Sequence, residues 1–87
     1  MTSERKRIQN EKQFEVWENT PLGGRIYRQT ILGHHGWFAV YVKEVDSDEL
    51  ALNFRQEIYD EKNVLREIHE KFPIDKGHIK INDKNGE

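Results

Sequence analysis

Residues 36–59, GWFAVYVKEVDSDELALNFRQEIY, constrain this chain more than any other stretch. They hold two runs with the two-residue period of a strand, 37–45 and 50–59, around the acidic turn-former Ser47-Asp48-Glu49. Alternate side chains of a strand reach opposite sides. The first run therefore shows Trp37, Ala39, Tyr41, Lys43 and Val45 to one side and Phe38, Val40, Val42 and Glu44 to the other. Both sides begin apolar, as in a strand covered on both faces. The second run is one-sided, with Leu50, Leu52, Phe54 and Ile58 facing away from Asn53, Arg55, Glu57 and Tyr59. A hairpin at the middle of a sheet satisfies both patterns.

The remaining elements are read outward from that hairpin. Residues 1–13 are polar apart from Ile8 and predict a flexible arm. Residues 14–81 form a single small β-rich domain, and 82–87 a tail. Phe14 and Val16 alternate around Glu15, which predicts a short strand folded across one side of the sheet. Asn19-Thr20-Pro21-Leu22-Gly23-Gly24 is a breaker cluster, hence a turn. Residues 25–32, RIYRQTIL, read as a strand, and Gly33-His34-His35-Gly36 closes a tight turn to its antiparallel neighbour.

Residues 60–72, DEKNVLREIHEKF, fit two templates. As a helix, Asp60 is the N-cap, Val64, Leu65, Ile68 and Phe72 form the stripe, and Pro73 is the stop. As a strand, Asp60-Glu61-Lys62-Asn63 is a hairpin turn, with Val64, Ile68 and Phe72 on one face shared with Arg66 and Glu70. Periodicity alone chooses the helix. Residues 73–77 then turn, and 78–81 add a short edge strand.

Residues 56–81, QEIYDEKNVLREIHEKFPIDKGHIKI, carry the string EIHEKFPxDxGH. This run resembles a pattern of short uncharacterised prokaryotic proteins in which a glycine stands where this chain has Asn63. A glycine suits a hairpin and is poor inside a helix, so the resemblance implies a hairpin turn at 60–63 with a strand after it, while Asn63 in place of glycine leaves the helix open. It implies no activity. The fold expected is β-rich, mainly β or α+β: an antiparallel meander of four to five strands, with a short helix at the N-terminus or over 60–72 as the variant.

Charge and size narrow the classes of function. Fourteen Lys and Arg against sixteen Asp and Glu leave a net charge of −2, with the signs interleaved along the chain. That balance makes no case for a polyanion partner; only Arg5-Lys6-Arg7 is a basic cluster, and it reads as a solvated terminus. There is no cysteine, so disulfides, thiolate metal sites and cysteine nucleophiles are excluded. No apolar run reaches the length of a membrane span, and the expectation is a soluble, cytoplasmic protein without membrane contact. With 87 residues the core must be small, which favours association with a partner.

The four histidines head the candidate chemistry, because imidazole serves as acid, base or ligand near neutral pH. None has the spacing of a compact zinc motif, and no metal or cofactor is expected. Counting an EF-hand loop from Asp46 puts Leu50 at the fifth ligand position and Ala51 where glycine belongs, so that reading fails and the turn is read as solvated. Gly23-Gly24 lacks the lysine and helix of a phosphate loop, and Ser3 and Ser47 are the only serines. Two functions remain. The first is a protein-interaction or self-associating module, a homodimer or the complex of a protein partner, using one apolar side of the central strand, that of Trp37 and Tyr41 or that of Phe38 and Val40. The alternative is an RNA-directed, toxin-like ribonuclease. There His69 and His78 exchange protons, Arg55, Lys71 or Lys80 binds phosphate, and Tyr59 positions the substrate.

Overall fold

The computed structural model describes residues 2–81. The chain order is α1 (Thr2–Gln13), β1 (Val16–Asn19), β2 (Arg25–Leu32), β3 (Phe38–Val45), β4 (Ala51–Tyr59), β5 (Leu65–Phe72) and β6 (His78–Lys80). All six strands lie in one antiparallel sheet, each beside its sequence neighbour, in the order β1-β2-β3-β4-β5-β6. The expected β-rich meander is present, with six strands in place of four or five and with a helix at its N-terminus. Among the described residues no helix is long and apolar enough to cross a membrane.

The hairpin turns explain this topology. Asp46 and Asp60 each accept two backbone N–H bonds on Oδ1, Asp46 from Asp48 and Leu50, Asp60 from Lys62 and Val64, at 2.8–3.0 Å. In both turns the residue three positions on lies in the left-handed region, Glu49 and Asn63 each at φ 64°. This is a type I turn closed by a left-handed residue, a standard three-residue hairpin connection. Residues 60–64 are thus the hairpin turn of the strand alternative, and the helix over 60–72 is not formed. Gly24 has a different reason for lacking a side chain: a Cβ there would lie 2.1 Å from the Val45 carbonyl oxygen.

The sheet has a helix face and a far face. Phe14, Tyr27 and Val45 form the buried cluster on the helix face, with Tyr41 and Phe54 packed against it. The Phe14 ring lies 5.6 Å from Tyr27 and 6.5 Å from Phe54. Phe14 therefore plugs the core from the end of α1, while β1 joins the sheet at its edge and does not fold across it. On the far face the small buried residue is Val42. Its cross-strand neighbours are Arg28 and Arg55, whose long side chains shield apolar surface as well as carrying charge.

The bulges correct the face assignments read from sequence. Pairing shifts between Glu44 and Val45, between Phe54 and Arg55, and between Ile58 and Tyr59. Each extra residue inverts the alternation beyond it. Phe72 consequently pairs with Phe54, while Ile68 pairs with Glu57. Leu50 and Leu52, expected to face inward, are each half exposed.

The arm expected over residues 1–13 is helical from Thr2 to Gln13. It has no apolar stripe, and Ile8 is exposed. Good helix formers, Glu4 in its first turn and Lys12 in its last support it locally. Polar anchors hold it to the sheet. Glu49 is only 3% exposed and accepts from Tyr27 Oη at 2.8 Å, Asn10 Nδ2 at 3.1 Å and Arg7 Nε at 3.1 Å. Asn10 Oδ1 in turn accepts from Lys43 at 2.9 Å, and Arg25 donates to Glu11 at 2.7 Å. Burial pushes the Glu49 carboxyl up, but the bonds from Tyr27, Asn10 and Arg7 together hold it below the usual carboxylate range. The turn read as solvated thus hides its last acidic residue. The 82–87 tail lies outside the described residues.

Candidate functional site

Because α1 sits over one end of the helix face, the other end is open. Strand register lays one polar row across it: Gln29 on β2, Tyr41 on β3, Gln56 on β4, His69 on β5 and His78 on β6 are successive cross-strand partners. Gln56 Nε2 donates to Tyr41 Oη at 3.1 Å. One row further out lie Ile31, Ala39, Ile58, Glu67 and Lys80. The open surface is therefore apolar on the β2–β4 side, where Trp37 borders an open groove with Ile31, Ala39 and Ile58, and titratable on the β5–β6 side.

His69 and His78 face each other across the β5–β6 ladder, with ring centroids 4.5 Å apart. Each ring has one nitrogen on a carboxylate. His69 Nε2 lies 2.7 Å from Asp75 Oδ1, and His78 Nδ1 lies 3.1 Å from Glu67 Oε1. The His69 side chain is 16% exposed and that of His78 45%, so the first is seated and the second reaches solvent. Asp75 is positioned by its turn, because the same Oδ1 accepts from the Gly77 N–H at 2.9 Å. That backbone bond, and then the bond with His69, holds the Asp75 carboxyl below its usual range. The Lys71 ammonium lies 5.2 Å from the Tyr41 ring centroid and 5.9 Å from that of Phe54, within reach of a cation–π attraction.

The structure brings together His69, His78, Lys71 and Tyr41 from the sequence-derived set, with Trp37 at the edge of the same face. It places Arg55 and Tyr59 elsewhere. Arg55 donates to Glu57 at 2.7 Å and Asn53 at 3.0 Å, and Tyr59 Oη donates to Glu57 at 2.8 Å while stacking on Phe38 at 5.1 Å. These residues make a separate network on the far face, where burial and the bond to Glu57 push the Tyr59 hydroxyl above its usual range. His34 and His35 remain on the β2–β3 turn, beyond the Leu32–Phe38 pair. Among the described residues no group of three or more His, Cys, Asp or Glu converges to hold a metal ion.

Gln56, Glu67 and the exact partner of His69 were missed in the sequence. Asp75-Lys76-Gly77 was the available signal, since an Asp two residues before a glycine marks a turn that fixes its carboxylate. Glu67 and Gln56 needed the strand register. Comparison of the chain with family models, curated proteins and solved structures gave no match.

Proposed function

We propose that the chain is a self-associating binding module whose docking surface is the outer half of β2 with the apolar groove beside it. One observation carries this reading. β1 pairs with β2 only from Arg25 to Arg28, so Gln29–Leu32 have no β1 partner along the outer edge. Leu32 is 83% exposed and Ile31 nearly half exposed. An unpaired strand edge with apolar side chains is a template for another strand. A second copy offers the same edge, and a two-fold axis near Thr30 and Ile31 pairs the two antiparallel, each satisfying the other's main chain. The four-residue edge is short, so the pairing is weak and concentration-dependent.

Sedimentation velocity at two loading concentrations about fifty-fold apart tests this. The sedimentation coefficient is expected to rise toward that of two chains at the higher concentration, and Leu32→Lys is expected to hold the chain at the monomer value at both. A concentration-independent monomer overturns the proposal. Addition of an extended segment from a partner protein at the same edge would instead leave the free chain monomeric.

A further inference from the structure

We infer that His69 and His78 are the base and acid of a metal-independent site that cleaves RNA. This goes beyond the docking surface, whose pairing edge is on β2, three strands from β5, although the groove beside that edge extends to Gln56 and Ile58 on the neighbouring strand β4.

The carboxylates leave one nitrogen of each ring without a protein partner among the described residues. Asp75 occupies His69 Nε2 and Glu67 occupies His78 Nδ1, so His69 Nδ1 and His78 Nε2 are the nitrogens open to a substrate. A carboxylate on one nitrogen fixes the tautomer and orientation of the ring, the arrangement of an oriented general base. The charged and titratable groups facing the pair are Glu67 and Lys71 on β5, Asp75 in the following turn, Lys80 on β6 and Tyr41 on β3. None of these is an activated hydroxyl or thiol. The chain has no cysteine, Tyr41 Oη is engaged by Gln56, and the Lys71 ammonium is held over two aromatic rings.

An acid and a base without a protein nucleophile suit a substrate that brings its own. The 2′-hydroxyl of RNA, next to the phosphodiester, is such a group. His69, the more enclosed ring with the shorter carboxylate bond, takes the 2′-OH proton as O2′ bonds to phosphorus. The P–O5′ bond breaks, and protonated His78, the more exposed ring, gives its proton to O5′. The products are a 2′,3′-cyclic phosphate and a 5′-hydroxyl. No water or redox partner is consumed, and Lys71 and Lys80 supply cations for the charge on the phosphoryl oxygens.

The test uses the full chain, in EDTA, on a mixed-sequence oligoribonucleotide pool covering all sixteen dinucleotide steps, between pH 5 and 8. Cleavage to 2′,3′-cyclic phosphate ends is expected, with a bell-shaped pH profile and none on the 2′-O-methyl pool. His69→Ala and His78→Ala, at unchanged urea midpoint, are each expected to lose a hundredfold or more. Asp75→Asn, a change to a positioning residue, is expected to lower the rate and move the limb of the profile that reports the base. Absence of cleavage by the wild-type chain, or cleavage that survives both histidine substitutions, overturns the inference. Neither result depends on the oligomeric state.

Discussion

The seat of α1 makes a demanding prediction, because one buried carboxylate holds an otherwise polar helix. Glu49→Ala removes the acceptor for three donors. Tyr27 is fully buried, so its O–H loses its acceptor and keeps only the long bond it receives from Arg25, at a cost of about 2 kcal/mol. Buried Asn10 keeps its bond from Lys43 but loses the one from Nδ2, adding about 1 kcal/mol. Arg7 is more than a third exposed, so its ion pair adds only a few tenths, roughly 0.3 kcal/mol. The sum is a loss of about 3 kcal/mol in urea unfolding followed by far-UV circular dichroism. Glu49→Gly separates the contacts from the backbone. Residue 49 lies at φ 64°, where glycine avoids the left-handed penalty of about 1 kcal/mol that glutamate and alanine share. The glycine variant should therefore be about 1 kcal/mol more stable than the alanine variant, while both fall below wild type. A loss under about 1 kcal/mol for Glu49→Ala, or a glycine variant less stable than the alanine one, would refute the anchoring argument.

Three further predictions share the same assay. The Glu49 carboxyl is held below its ordinary range, so its contribution is present above the ordinary carboxylate pKa and disappears as pH falls through the depressed value. The stability gap between wild type and Glu49→Gln should accordingly shrink as urea curves are repeated from pH 7 toward pH 3. Asn63→Ala should cost about 1 kcal/mol, while Asn63→Gly should match or exceed wild type, because the position sits at φ 64°. Gly24→Ala should destabilise by about 2 kcal/mol or more, since the new methyl meets the Val45 carbonyl and the adjoining strands must part.

The sheet was legible because strand alternation is a local signal. Trp37, Ala39, Tyr41, Lys43 and Val45 do share the helix face, whereas the Asn63 turn was one of two readings, open through the left-handed tolerance of asparagine but opposed by the helical period of the residues after it. The helix was not legible. Its hold on the sheet rests on Arg7, Asn10 and Glu11 meeting Glu49 and Arg25 across up to 42 positions of sequence, and no stripe of apolar residues announces such contacts. The bulges were equally hidden, and they moved Phe72 onto the helix face and left Leu52 half exposed. His69 and His78 were visible as residue types. Their juxtaposition depended on the β5–β6 register, and the separation of Arg55 and Tyr59 from them depended on which face each strand position meets.

The register that runs from Tyr41 through Gln56 and His69 to His78 brings the two imidazoles together. Nuclear Overhauser contacts in the isotope-labelled chain measure it directly. Ring-to-ring contacts between His69 and His78 and cross-strand contacts between Gln56 and His69 are the expected result. Sequential helical contacts through residues 60–72, or imidazole rings with no contact between them, would contradict it.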